Sequence, residues 1–124
     1  MRDKTKVLIV DNSLDFAEIL SSYIEGLDDF FVVGISENGL DALSQIVEYH
    51  PQIILLDLIM PVMDGLEVLE RISRMPPDIK PETIIISAVG KKEIVKRALD
   101  LGARHYFIKP FDMDILVSCL QQLS

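Results

Sequence analysis

The segment Ile53–Gly65, with the sequence IILLDLIMPVMDG, constrains the possible folds most strongly. Its first four residues are large and apolar without alternation, and Asp57 follows them directly. The run is too short to span a membrane, and the flanking Pro51, Pro61 and Gly65 are typical of strand boundaries. The segment therefore predicts a strand, Ile53–Asp57, that is buried on both faces within a parallel sheet. Asp57 is expected at the carboxyl edge of this sheet, where a poorly hydrated carboxylate needs a compensating partner.

A bland interpretation of Asp57 is a turn residue or a helix cap, which is the commoner role of an aspartate at a strand end. Three apolar residues follow it, however, so no helix begins there. Asp64 is the better cap, because Asp64 to Glu67 has the spacing of a capping box before an apolar periodic run. Placement therefore favours a functional Asp57.

Length and composition predict one domain over residues 1–124 of a soluble globular protein, with 49% hydrophobic and 26% charged residues. The polar segment Met1–Lys6 precedes no signal-peptide core, and a cytoplasmic location is expected. A net charge of −8 argues against direct nucleic-acid binding by this domain. The single cysteine, Cys119, has the helical spacing of a core residue within Ile115–Leu123.

Short apolar runs alternate with helical patterns along the whole chain. The remaining strands are predicted at Lys6–Asp11, Phe30–Ile35, Thr83–Ser87 and Tyr106–Ile108. Helices are predicted after Asn12 or Ser13, from Asn38-Gly39 to His50-Pro51, after Asp64, around Glu93 to Gly102, and from Asp112 to Leu123. The second helix is expected to bury the face formed by Leu40, Leu43 and Val47. Strand ends about 20–30 residues apart indicate βα units and a mostly parallel α/β sheet with helices on both faces.

Five such units favour the doubly wound strand order 2-1-3-4-5, with a site at the carboxyl edge between strands one and three. Asp11 and Asp57 end these two strands, and Ser87 and Lys109 end the next two. Two carboxylates in one crevice suit Mg²⁺, which takes carboxylate and phosphate oxygens. Lys109 supplies a positive charge for an anion, and an aspartate in this setting can attack phosphorus. Lys109 alone could equally be a surface lysine, but Pro110 and Phe111 favour a fixed turn after it, with a cis peptide as one option.

The chain resembles the receiver domain of bacterial two-component response regulators along its whole length. The motifs that carry the resemblance are VLIVD, LLDLIMPVMDG, IIISA and FIKPF. The combination of YIEG, MDGLEVLERI, LDLGA and KPFDM is most similar to the receiver of the sporulation master regulator of endospore-forming bacteria. The resemblance implies a flavodoxin-like (βα)₅ receiver fold and a phosphorelay protein that is not an enzyme.

The resemblance also implies roles for individual residues. Asp57 would accept a phosphoryl group, and Ser87 and Lys109 would contact it. Ser87 and Tyr106 would form the conformational switch, although Tyr106 alone is equally consistent with a packed strand residue. The implied Mg²⁺ ligands are Asp11, Asp57, the Ile59 backbone carbonyl and the residue at position 12.

Position 12 departs from the family pattern, which usually has two successive acidic residues at the end of the first strand. Asn12 offers a neutral carbonyl oxygen in place of a carboxylate. We therefore expect weaker Mg²⁺ binding than in a typical receiver, with slow or absent phosphorylation as a consequence. This departure supports an alternative function, a receiver that binds a partner protein without phosphorylation. A phosphatase with a D-x-D motif is a weaker alternative, because Ile59 occupies the position of the second aspartate.

The resemblance implies a histidine kinase or phosphotransfer protein as a partner and no membrane association. Receiver–receiver dimerisation through the fourth helix, fifth strand and fifth helix is a further expectation, as is a C-terminal DNA-binding effector domain that follows this chain. The dimer could pair basic residues of the fourth helix with Asp112 and Asp114 of the fifth. A solvated charged face is the default interpretation of these residues. The basic residues in question are Lys91, Lys92, Lys96 and Arg97.

Overall fold

The structure, a computed structural model, describes residues 3–124, so the predicted polar segment Met1–Lys6 begins outside the described residues. Strands and helices alternate along the described chain. The strands are β1 (Thr5–Val10), β2 (Phe30–Ser36), β3 (Ile53–Leu56), β4 (Glu82–Ser87) and β5 (His105–Ile108). The helices are α1 (Leu14–Glu25), α2 (Gly39–Tyr49), α3 (Gly65–Ser73), α4 (Lys92–Asp100) and α5 (Met113–Leu123). None of the helices within residues 3–124 has the length and apolar character needed to cross a membrane.

The strands form one sheet in the order β2-β1-β3-β4-β5, and all neighbouring pairs are parallel. This is the predicted doubly wound order, with β2 at an edge as expected. The register of the central pair ends with Val10 opposite Leu56. Since Asp11 and Asp57 are the next residues of these two strands, the register places them side by side at the carboxyl edge.

Two hydrophobic cores sandwich the sheet. Alternate residues of β3 face opposite sides: Ile54 and Leu56 belong to the core under α2, α3 and α4, and Ile53 and Leu55 to the core under α1 and α5. Because both faces of the strand are buried, its sequence shows no polar alternation. Each such side chain contributes roughly 1.5–3 kcal/mol through burial, which fixes the strand end that carries Asp57.

Side-chain caps set the start of four helices. Ser13, Asn38, Asp64 and Asp112 each accept a backbone hydrogen bond at the N-terminus of α1, α2, α3 and α5, respectively. These contacts confirm the predicted helix starts and resolve the choice between Asn12 and Ser13 in favour of Ser13. His50 ends α2 in the left-handed region, where the sequence predicted the stop.

The predicted buried face of α2 is wrong at two of its three residues, since only Leu43 packs against the core. Leu40 and Val47 are 51% and 59% exposed, whereas Gly39, Ala42 and Ile46 are buried. The physical reason is close packing at the start of the helix, since a Cβ at Gly39 would collide with the Met63 main chain. Small residues therefore face inward, and the larger ones lie outside.

The predicted face of α5 needs a smaller correction. Cys119 is half-buried against the core that Leu116 and Leu120 enter, as expected for a packing residue. Ile115 belongs to the same predicted face but is exposed.

Candidate functional site at the carboxyl edge of the sheet

Asp11 and Asp57 form the floor of the site. Both are buried, with 3% and 8% of their surfaces exposed. The Asp57 backbone N–H donates to the Val10 carbonyl at 2.9 Å, and the Asp11 N–H donates to the Ser36 carbonyl at 2.9 Å. These bonds extend the sheet ladder by one residue, so both carboxylates project from a fixed backbone.

Lys109 brings a cation to both carboxylates. Its Nζ lies 2.9 Å from Asp11 Oδ2 and 3.6 Å from Asp57 Oδ2. The Lys109 backbone N–H donates to the Ser87 carbonyl at 2.8 Å, and the Lys109–Pro110 peptide is cis. Because one ammonium reaches both carboxylates, the Oδ2 atoms of Asp11 and Asp57 converge on one small region.

The two carboxylates use their other oxygens in the same manner. Asp11 Oδ1 accepts from the Ser13 backbone N–H at 2.8 Å, and Asp57 Oδ1 accepts from the Ile59 N–H at 3.2 Å. Each aspartate thus binds the loop that follows it through Oδ1 and turns Oδ2 toward Lys109. This arrangement fixes the orientation of both side chains.

Ser87 and Tyr106 both form hydrogen bonds with the backbone of Val89. The Ser87 hydroxyl accepts from the Val89 N–H at 3.2 Å, and the Tyr106 hydroxyl donates to the Val89 carbonyl. Burial raises the pKa of Tyr106, while the Ser87 hydroxyl lowers it and the Asp57 charge raises it, each to a smaller extent. The neutral phenol is therefore the stable form, and it ties β5 to the loop after β4.

The oxygen set at this edge fits a hard cation in its chemistry. It consists of the Asp11 and Asp57 carboxylates with the Ile59 carbonyl nearby in sequence, and Mg²⁺ binds few protein oxygens while keeping several waters. Asn12 is exposed at the end of β1. Within residues 3–124, no cluster of three or more His, Cys, Asp or Glu side chains is arranged to hold a metal ion. Among the described residues, Asp11 and Asp57 are therefore the two carboxylates available to a metal at this edge.

Phe16 and Gly65 belong to the site, although the sequence predicted no role there for either. The Phe16 ring lies 4.2 Å from Lys109 Nζ, measured to the ring centroid. The helical spacing of Phe16 with Leu20 and Ile24 indicates only a packing residue on α1. Gly65 packs against the main chain of Asp57 and Leu58 so closely that a Cβ would collide with both. The glycine in the MDG motif is the one signal that could have indicated this contact.

Comparison with known proteins gives a consistent result. The family model described as "Response regulator receiver domain" matches residues 7–121. The signal receiver domain of the putative response regulator NarL from Mycobacterium tuberculosis is 28% identical, with a TM-score of 0.88 and 98% of each chain covered.

Two further solved structures have similar scores. A LuxR-family DNA-binding response regulator from Staphylococcus aureus is 27% identical, with a TM-score of 0.88 and coverage of 96% of this chain and 98% of that one. The CheX–CheY–BeF₃–Mg²⁺ complex from Borrelia burgdorferi is 29% identical, with a TM-score of 0.86 and coverage of 98% and 90%, respectively. Since the family model spans nearly the whole chain and these folds match over at least 90% of each chain, the chain belongs to the response regulator receiver domain family.

Proposed function

We propose that this receiver domain acts in two-component phosphorelay signalling by accepting a phosphoryl group on the Asp57 carboxylate. The convergence of Asp11, Asp57 and Lys109 carries the proposal, since it combines an acceptor carboxylate, a cation and a second acidic oxygen donor. A lysine that lies only at the surface would not contact two buried carboxylates from different strands, as Lys109 does. The domain is proposed as a switch and not as a turnover enzyme, because Ile59 occupies the position where an aspartyl phosphatase carries its acid.

The chemistry is transfer of a phosphoryl group between two carriers. An Asp57 carboxylate oxygen forms a bond to phosphorus, and the bond from phosphorus to the donor breaks. The donor atom, a histidine nitrogen of a kinase or phosphotransfer protein, leaves with the electron pair and takes up a proton. The product is an acyl phosphate on Asp57. Lys109 already lies within ion-pair distance of this carboxylate and would bind the added phosphoryl oxygens.

Mg²⁺ is the proposed cofactor, held by the Asp11 and Asp57 carboxylates and the Ile59 carbonyl. When bound, it supplies positive charge that offsets the negative charge on the transferring group. One neighbour was solved with BeF₃ and Mg²⁺, which supports this choice. Asn12 adds only a neutral oxygen, so we propose weaker metal binding than a carboxylate at this position would give.

Val89 is proposed to couple the phosphoryl site to the switch. The Val89 N–H donates a hydrogen bond to the Ser87 hydroxyl, and the Val89 carbonyl accepts one from Tyr106. If a phosphoryl group drew the Ser87 hydroxyl toward itself, the hydrogen bond from the Val89 N–H would be lost. The loop would then shift and release or reorient the Tyr106 phenol. Phosphorylation would thus change the relative populations of two arrangements around α4 and β5.

The proposed partners follow from this function. They are a histidine kinase or phosphotransfer protein, a second receiver through α4, β5 and α5, and a DNA-binding effector domain. One neighbour is named a DNA-binding response regulator of the LuxR family, which supports the last of these. The motif similarity to the sporulation master regulator makes transcription regulation the proposed output. Two of the basic residues considered for the dimer interface form ion pairs within this chain. Lys96 pairs with Asp100, and Arg97 lies 3.8 Å from Glu70.

Incubation with acetyl phosphate and Mg²⁺, followed by intact mass measurement, tests the proposal. We expect a single phosphoryl adduct that is lost in Asp57→Asn and retained in Asp78→Asn, an exposed aspartate of the loop before β4. An adduct that persists in Asp57→Asn would place the chemistry elsewhere. No adduct with wild type, at Mg²⁺ concentrations high enough to offset Asn12, would favour the alternative function of a phosphorylation-independent protein-binding module.

A further inference from the structure

Phe16 lies in the first turns of α1, and its half-buried ring faces the Lys109 ammonium. The distance of 4.2 Å from Nζ to the ring centroid is well inside the range of a cation–π interaction. A leucine would serve equally well as an apolar packing residue at this helical position. The contact is specific to an aromatic ring, because only the negative face of a ring attracts the cation.

The Lys109 ammonium depends on contacts of this kind to hold one position. Its four-carbon stem is flexible, and the side chain keeps 23% of its surface exposed. Asp11 binds it at 2.9 Å, whereas Asp57 lies at 3.6 Å. Asn12 contributes no charge to the same notch. The Lys109 ammonium is therefore held by one carboxylate fewer than in the family pattern, and the Phe16 ring adds a further attraction.

Other aromatic residues hold the Phe16 ring itself. Phe111, two residues beyond Lys109, packs edge-to-face against Phe16 with centroids 6.4 Å apart and an angle of 77° between the rings. Phe107 of β5 packs on Phe111 at 5.6 Å. The three rings connect α1 to the segment that carries Lys109, so the position of the ring and that of the lysine are set by the same cluster.

We infer that Phe16 is a positioning residue that holds the Lys109 ammonium beside Asp57 through a cation–π contact. The inference rests on the proposed function for its consequence: loss of the ring should slow phosphoryl transfer to Asp57 because Lys109 is less often in place. The contact itself does not depend on phosphorylation, so the two claims can be tested separately.

Proton NMR of the metal-free protein tests the contact. The ε-methylene protons of Lys109 lie near the ring face and should resonate upfield of the other lysines in wild type. Phe16→Leu should move them toward the ordinary lysine position. Phe31→Leu, at a 47% exposed phenylalanine of β2 outside the ring cluster, should leave them in place. An unchanged Lys109 signal in Phe16→Leu would overturn the inference, whether or not Asp57 accepts a phosphoryl group.

A kinetic cycle tests the consequence. With acetyl phosphate and Mg²⁺, Phe16→Leu should slow adduct formation about threefold to tenfold, the range expected from one cation–π contact. The same substitution in a Lys109→Ala background should have no further effect, because there is no ammonium left to position. Equal slowing in both backgrounds would show a merely structural role and overturn the inference.

Pentafluorophenylalanine at position 16 guards against a packing effect or a variant that fails to fold. It keeps the shape of the ring but reverses the charge distribution of its face, so it should reproduce the slowing by Phe16→Leu. A fluorinated protein with the wild-type rate would also overturn the inference. If wild type forms no adduct while the Lys109 protons respond as expected, the positioning contact stands and the proposed phosphorylation fails.

Discussion

The Lys109 ammonium lies 2.9 Å from the buried Asp11 carboxylate, an ion pair between residues 98 positions apart in the chain. The same ammonium also offsets the charge of Asp57. We expect Lys109→Met to lower the free energy of unfolding by roughly 1–3 kcal/mol in metal-free buffer, because two like charges then face each other without a cation. Urea denaturation measures this change.

Two further variants make this prediction specific. Asp57→Asn in the Lys109→Met background should recover part of the lost stability, since it removes one of the two repelling charges. Lys92→Met removes an exposed lysine from the start of α4 and should change stability by less than about 0.5 kcal/mol. Equal losses for Lys109→Met and Lys92→Met would contradict the central role of this cation.

Asn12→Asp should strengthen Mg²⁺ binding. A carboxylate at this position restores one negative charge beside Asp11 and Asp57, and we expect an affinity gain of about fivefold or more. Calorimetric titration of wild type and variant measures it, with Asn12→Ser as the matched neutral replacement. The same affinity for Asn12→Asp and wild type would show that position 12 does not reach the metal.

Gly65→Ala should disturb the backbone at Asp57 and Leu58. The added Cβ would meet the Asp57 carbonyl and the Leu58 main chain, neither of which can rotate away. We expect a loss of roughly 1–3 kcal/mol, the range for overpacking, together with slower phosphorylation. Gly34→Ala is the control, because its Cβ meets mainly the mobile amide end of Gln45. A Gly65→Ala protein as stable as Gly34→Ala would refute this packing argument.

The meeting of strand-end residues at one edge of the sheet was predictable because topology constrains it strongly. Parallel strands end at one edge, so Asp11, Asp57, Ser87 and Lys109 could be brought together without knowledge of any side-chain position. Strand boundaries were accurate within a residue or so for the same reason, since β3 is buried on both faces and has no polar residue within it. The prediction therefore depended on backbone topology and not on packing detail.

Packing detail is what the sequence did not reveal. On α2, apolar residues occupy two faces, and the choice between Leu40 with Val47 and Ala42 with Ile46 depends on how closely the helix approaches Met63. Phe16 posed a similar problem. Periodicity placed it on the inner face of α1, but only the path of the Lys109 side chain shows that the ring meets a cation.

Val62→Gly should stabilise the protein. Val62 has φ of 71°, an unfavourable region for a β-branched residue, within a tight turn closed by the Met63 N–H and the Pro61 carbonyl at 2.8 Å. The residue is 77% exposed, so little packing is lost. We expect a gain of about 1 kcal/mol in urea denaturation. Val62→Ala keeps the Cβ and should gain much less, and an equal gain for both variants would rule out backbone strain as the cause.

Tyr106→Phe should show how much the neutral Tyr106 phenol contributes to the free energy of unfolding. Loss of the hydrogen bond to the Val89 carbonyl should cost about 1 kcal/mol at neutral pH. Because burial raises the pKa of Tyr106, folding favours its protonated form. This contribution is complete below the unfolded pKa near ~10 and disappears as pH rises through the higher folded pKa. The urea midpoints of wild type and Tyr106→Phe should therefore converge between neutral pH and about pH 11. Tyr49→Phe is the control, because Tyr49 is 40% exposed, and its midpoint should differ little from that of wild type at neutral pH. A gap between wild type and Tyr106→Phe that stays constant across this range would show that the phenol is not buried as described.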